Sequence, residues 1–214
     1  RERVEAVAMK TDDLICQLAA DLPDGPGDAQ LRGVGLGKAT VLAALITMPL
    51  CLMLYGLRAG GAAEDAMGLL IWVAMALAAL WSARRLAVPE PAPMLTTCGP
   101  LAALLAVVAL MAGLGQREDV TVFRVDHVLH CAEIIGILAI APFLWLSIAM
   151  RRGAPASPRA AGAMIGLIAG AIGALAYTLS CPIEDSLAAL SAHSLSVLLV
   201  SALGAVVGPS IFSW

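Results

Sequence analysis

"AAGAMIGLIAGAIGALAYTLS", residues 160–180, carries no charge and nothing more polar than Tyr177, Thr178 and Ser180. A helix needs about 20 apolar residues to cross the hydrocarbon core of a bilayer, and this stretch supplies them. The same reading applies to 36–57, 67–83, 99–115, 129–149 and 186–208, of which 99–115 is short. Breakers separate the runs, for example "VPEPAP" at 88–93 and "GAPASP" at 153–158. Bulk composition agrees. The 214 residues are 60% hydrophobic with mean hydropathy +0.90. Only 14% are charged, where soluble domains run near a quarter. A cleaved leader does not explain this, because apolar runs recur to the last residue. The expected fold is all-α: a polytopic six-helix transmembrane bundle over 34–214, preceded by a soluble segment and tether over 1–33. "MKTDDLI" at 9–15 reads as a natural start, with 1–8 upstream of it.

Positively charged loops stay cytoplasmic, so Lys and Arg orient the bundle. Arg1, Arg3, Lys10, Arg32, Lys38, Arg84, Arg85, Arg151, Arg152 and Arg159 fall on one face, against Arg58, Arg117 and Arg124 on the other. Both termini are therefore expected in the cytoplasm. "SCPIEDS" at 180–186, between the fifth and sixth spans, becomes an external turn. Gly162, Gly166 and Gly170, and likewise Gly204 and Gly208, recur every four residues, a spacing that lets helix backbones approach closely. No internal repeat is evident, which weakens a transporter built from inverted halves.

Five cysteines (Cys16, Cys51, Cys98, Cys131 and Cys181) form no CxxC pair, which argues against a zinc ribbon or thioredoxin-type motif. Two map to the outer end of the bundle: Cys131 in "VDHVLHCAEI" and Cys181 after the fifth span. His127 lies four residues before Cys131 and His130 is adjacent to it, three after His127, which reads as one helical face; Glu184 and Asp185 follow Cys181. Cys131, Cys181 and His130 make a candidate metal set, since imidazole and thiolate suit zinc, copper and softer metals. A disulfide between the two cysteines is the other candidate, and it requires Cα atoms within about 7 Å. The plain alternative is a pair of small buried hydrophobes with interfacial histidines meeting water. Glu133 and His193 lie deeper along their helices, where ionisable groups usually face a partner or water.

The soluble segment "MKTDDLICQLAADLPDGPGD" places Leu14, Ile15, Leu18 and Leu22 at helical spacing after Thr11, Asp12 and Asp13, which suit a helix start. Such a short helix is marginal alone and needs a surface for its apolar stripe. Its acidity disfavours the anionic inner leaflet, so a protein groove with a basic rim fits better.

"MKTDDLI…LAADLP", six spans, a lone cysteine before the fourth and "CPIEDS" after the fifth together resemble the NrsF-type membrane anti-sigma factors of proteobacteria. The likeness runs from Met9 to Trp214. It implies an inner-membrane protein whose cytoplasmic segment, around Asp12 and Asp13, holds an extracytoplasmic-function sigma factor. It also implies that Cys131 and Cys181 take part in the periplasmic response to stress such as heavy metals. Here Ser180 precedes the cysteine and Ile183 separates Pro182 from Glu184, a departure from the family's expected pattern. No resident cofactor is called for; a transient heavy-metal ion is the one candidate. The sequence shows no nucleophile–base pair, phosphate loop or nucleic-acid patch, so the expected partners are a sigma factor and the lipid bilayer. A small-molecule or metal transporter is the main alternative. A membrane thiol oxidoreductase is weaker, since those enzymes use a close dithiol pair.

Overall fold

In hydrocarbon no water can satisfy a backbone N–H or C=O, so a spanning segment must bond within itself. All six apolar runs are helical in the computed structural model. It describes residues 27–57, 66–87, 94–115, 125–153, 155–181 and 186–212. The helices are α1 (Gly27–Tyr55), α2 (Ala66–Leu86), α3 (Met94–Gly115), α4 (Val125–Arg151), α5 (Pro158–Thr178) and α6 (Ser186–Phe212). There is no strand among the described residues. Five helices are long and apolar enough to cross a membrane; the apolar stretch counted in α3, Cys98–Leu110, is shorter. α1 begins at Gly27, so 27–33, read above as tether, continue the first helix. Thr11, Asp12, Asp13, Leu14, Ile15, Leu18 and Leu22 lie outside the described residues.

α5 is the axis of the bundle. Its most apolar window is 89% buried, against 33–44% for the other four spans. It packs most extensively on α6, then on α2, α4 and α1, while α3 sits outside against α2 and α6. The outer faces present Leu45, Ile46, Met53, Leu77, Ile140 and Leu144. An apolar surface of that extent suits acyl chains rather than water. Pro158 opens α5, with Ser157 as its cap accepting from the Ala160 N–H at 3.4 Å. Several buried hydroxyls bond within their own helix: Thr40 donates to the Leu36 carbonyl, Thr178 to Ala174 and Ser196 to Ala192.

The α5–α6 contact is made by backbone. A Cβ at Gly166 would stand 2.7 Å from the Val200 carbonyl oxygen and 2.9 Å from Ser201 Cα. Gly162 faces Gly204 and Gly208 just as closely. Lipid offers helices no hydrophobic reason to associate, so such close packing carries the contact. Ser201 adds a hydrogen bond across the seam, donating to the Ala163 carbonyl at 2.9 Å.

The described basic side chains gather at one end of the bundle: Lys38 on the first turns of the α1 span, Arg84 and Arg85 ending α2, Arg151 and Arg152 ending α4, and Arg159 opening α5. Arg85 stacks on Trp81, 5.4 Å from the ring centre, and the Arg84 guanidinium covers Gly37.

The seam makes a sharp prediction. Gly166→Leu must push α5 and α6 apart and should cost about 1–3 kcal/mol or more. Gly136→Ala, where a Cβ meets nothing within 4 Å, should be neutral or stabilising by about 0.5–1 kcal/mol. Denaturant unfolding of the purified protein in micelles separates the two; equal stability of both variants would refute the seam.

Candidate functional site

At the end of the bundle opposite the arginines, three chemically capable side chains converge on α5. Cys131 is on the second turn of α4, Cys181 directly follows the last turn of α5, and His193 is two turns into α6. Their exposures are 0%, 2% and 1%. The two sulfurs and an imidazole nitrogen of His193 all lie within 4.8 Å of one another. Both sulfurs are thiols.

The imidazole is held on several sides. Thr178 Oγ1 lies 3.4 Å from His193 Nδ1 and itself donates to the Ala174 carbonyl at 2.7 Å. The Tyr177 and Trp72 rings stand 5.6 and 6.3 Å from the imidazole, centre to centre. Nε2 is buried and has no hydrogen-bond partner among the described residues. A polar atom left so in a dry interior costs about 1–3 kcal/mol.

Cys181 is positioned by its neighbour. Ser180 Oγ donates to the Gly56 carbonyl at 2.6 Å, tying the end of α5 to the end of α1. Gly56 can offer that carbonyl because it leaves the helix with φ of 76°, a backbone region glycine enters without cost. Ser180 spends its proton on Gly56, so the 3.8 Å contact with Cys51 Sγ has the thiol as donor. Tyr55 meets Tyr177 edge to face at 5.9 Å and closes the same corner. Cys51, which its place within the first span set apart from the outer cysteines, thus reaches the turn that carries Cys181.

Of the residues singled out from sequence, the structure brings together Cys131, Cys181 and His193. It does not bring His130 or Glu133 to them: both are exposed on α4. Neighbouring helix positions diverge by about 100°, so a buried Cys131 turns an adjacent residue away. His127 lies in the first turn of α4, with its side chain outside the described residues, as are Glu184 and Asp185. Thr178, Tyr177, Trp72 and Ser180 were assigned no role in the site from sequence. Thr178 and Ser180 flank Cys181 closely enough to have been found; Trp72 had no local signal.

Two thiols and a neutral imidazole can bind a soft or borderline metal ion, or the thiols can be oxidised together. Either event would join α4 to the end of α5.

No solved structure matches the chain. A curated relative from Azospira oryzae, "Probable anti-sigma-F factor NrsF", is 28% identical over 96% of this chain and 100% of its own length. The family described as "NrsF: Negative regulator of sigma F" matches residues 18–214. That match takes in every described helix of the bundle, and the chain therefore belongs to the NrsF family of negative regulators of sigma F.

Proposed function

We propose that this membrane anti-sigma factor holds an extracytoplasmic-function sigma factor at the bacterial inner membrane and releases it when Cys131 and Cys181 react on the periplasmic side. Membership of the NrsF family is the observation that carries the regulatory role. The sensing half draws support from the two buried thiols at one end of the bundle. The clustering of Lys38, Arg84, Arg85, Arg151, Arg152 and Arg159 at the other end supports a cytoplasmic orientation for that end.

The sigma factor is held by residues 9–22. Leu14, Ile15, Leu18 and Leu22 enter its groove, and Thr11, Asp12 and Asp13 meet the basic rim. α1 connects that segment to the sensor, because it packs on both α4 and α5. Bridging of the sulfurs, by a metal ion that displaces both thiol protons or by a disulfide whose two protons and two electrons go to a periplasmic oxidant, draws α4 against the end of α5. Packed helices respond to such a pull by shifting about 1–2 Å as rigid bodies. The coupling required is modest: about 1–3 kcal/mol changes partner affinity 5- to 150-fold.

The transporter alternative requires a polar path. The two grooves described, one of about 470 Å³ between α1 and α5 and one of about 200 Å³ between α4 and α6, have apolar linings. Leu45, Pro49 and Leu175 in the first, and Ile140, Phe143 and Leu203 in the second, offer a hydrated solute no ligand.

Three outcomes follow. Leu14→Asp should lose co-purification of the sigma factor, an affinity drop of about tenfold or more for one buried anchor; retention at the wild-type level would rule out helix docking. Cys131→Ser and Cys181→Ser should each abolish cadmium-induced transcription while leaving resting repression intact, read from a sigma-dependent reporter. Full induction in both variants would remove the thiols from the mechanism. A fluorescent protein fused after Trp214 should glow in intact cells, whereas a periplasmic C-terminus would leave it dark.

A further inference from the structure

We infer that His193 is the third ligand of the thiol site, so that a soft divalent cation is bound by Cys131 Sγ, Cys181 Sγ and His193 Nε2. The inference rests on the thiol-sensing reading above and deepens it: it names the ligand class and the helix that the ligand recruits.

The imidazole is prepared for this by Thr178. A threonine hydroxyl has one proton, and here it goes to the Ala174 carbonyl at 2.7 Å. Toward His193 Nδ1, 3.4 Å away, Thr178 Oγ1 can therefore only accept. That assigns the hydrogen of the neutral ring to Nδ1 and leaves the lone pair on Nε2. Metal-binding histidines are oriented in this way, with the second nitrogen donating to an oxygen behind the ring. Nε2 is the buried nitrogen with no partner among the described residues. Tyr177 and Trp72 fix the plane of the ring from the sides.

Charge selects the ion. Two thiols that bind M²⁺ release two protons to water, and two thiolates with a neutral imidazole make a complex of net charge zero. A neutral complex is the one a site of 0–2% exposure tolerates best, since a residual charge there would lack solvation. Two sulfurs and one nitrogen suit zinc, cadmium and mercury, whereas calcium and magnesium require oxygen donors. Size agrees as well. Metal–sulfur bonds of about 2.3 Å put ligand atoms about 4 Å apart in a trigonal site. The two sulfurs and one ring nitrogen of His193 lie within 4.8 Å of one another, so only a small closure is needed. That closure pulls α6 as well as α4 onto the end of α5.

The test uses the reduced full-length protein in detergent micelles, titrated with Cd²⁺. Thiolate–cadmium charge-transfer absorption reports sulfur ligation, and X-ray absorption at the cadmium edge identifies imidazole. The wild type should show two sulfurs and one imidazole nitrogen. His193→Gln and His193→Ala should lose the nitrogen and bind Cd²⁺ about 10- to 100-fold more weakly, while His130→Ala should match the wild type. A wild-type spectrum lacking imidazole would overturn the assignment without any variant having to fold. Unchanged cadmium affinity in the His193 variants, with the sulfur band intact, would do the same and leave the thiol pair standing. No sulfur band in the wild type, or one that survives Cys131→Ser and Cys181→Ser together, would sink this assignment and the thiol reading with it.

Discussion

The contact between α5 and α6 sets the register on which the site depends. Two helices in lipid gain little from hiding apolar side chains, so their adhesion has to come from surfaces that fit. Here the fit is between main chains, with Gly162 and Gly166 against Val200, Ser201, Gly204 and Gly208. Side chains can adjust a loose interface by changing rotamer, but a backbone seam leaves no such freedom. With the seam fixed at the arginine-rich end, the opposite end of the hairpin follows. Thr178 arrives beside His193 and Cys181 arrives below it.

A dry pocket makes those neighbours chemically consequential. In water, two thiols and an imidazole a few ångströms apart would each be solvated and largely independent. Buried behind Trp72 and Tyr177, they have mainly one another and the hydroxyl of Thr178 as partners. The same burial separates them from the exposed His130 and Glu133, one and two residues from Cys131 on α4. Those residues meet solvent or headgroups and have little reason to respond to the thiols. In the proposed function, regulation works by shape: a link between the sulfurs would change how α4 and α5 meet. α1 packs on both and leads back to the N-terminal segment proposed to hold the sigma factor.

Hydropathy made the helices legible. A run such as 160–180 has one solution in a bilayer, and glycines recurring every four residues announced the seam. The start of α1 was less legible, because "PDGPGD" at 23–28 reads as a flexible tether where the chain is already helical from Gly27. Glycine lowers helix propensity only mildly, and a continuous helix spares the backbone a break at the membrane surface. Cys131 and Cys181 could be paired from sequence by assigning both to one face of the membrane. Preferring His130 over His193 as their companion came from closeness along the chain, which on a helix is a poor guide to direction.

By itself the sequence determined that the chain is a bundle of apolar helices, which ends carry the positive charge and which cysteines share an end. Each of these follows from local composition, because the bilayer dictates length and conformation segment by segment. Only the tertiary structure decided that α5 is the axis, that Ser180 anchors its end to Gly56, and that His193 rather than His130 faces the sulfurs. Those facts depend on how far each helix is rotated about its own axis. That rotation is set by the shapes of the surfaces that meet, and no single stretch of the chain contains it.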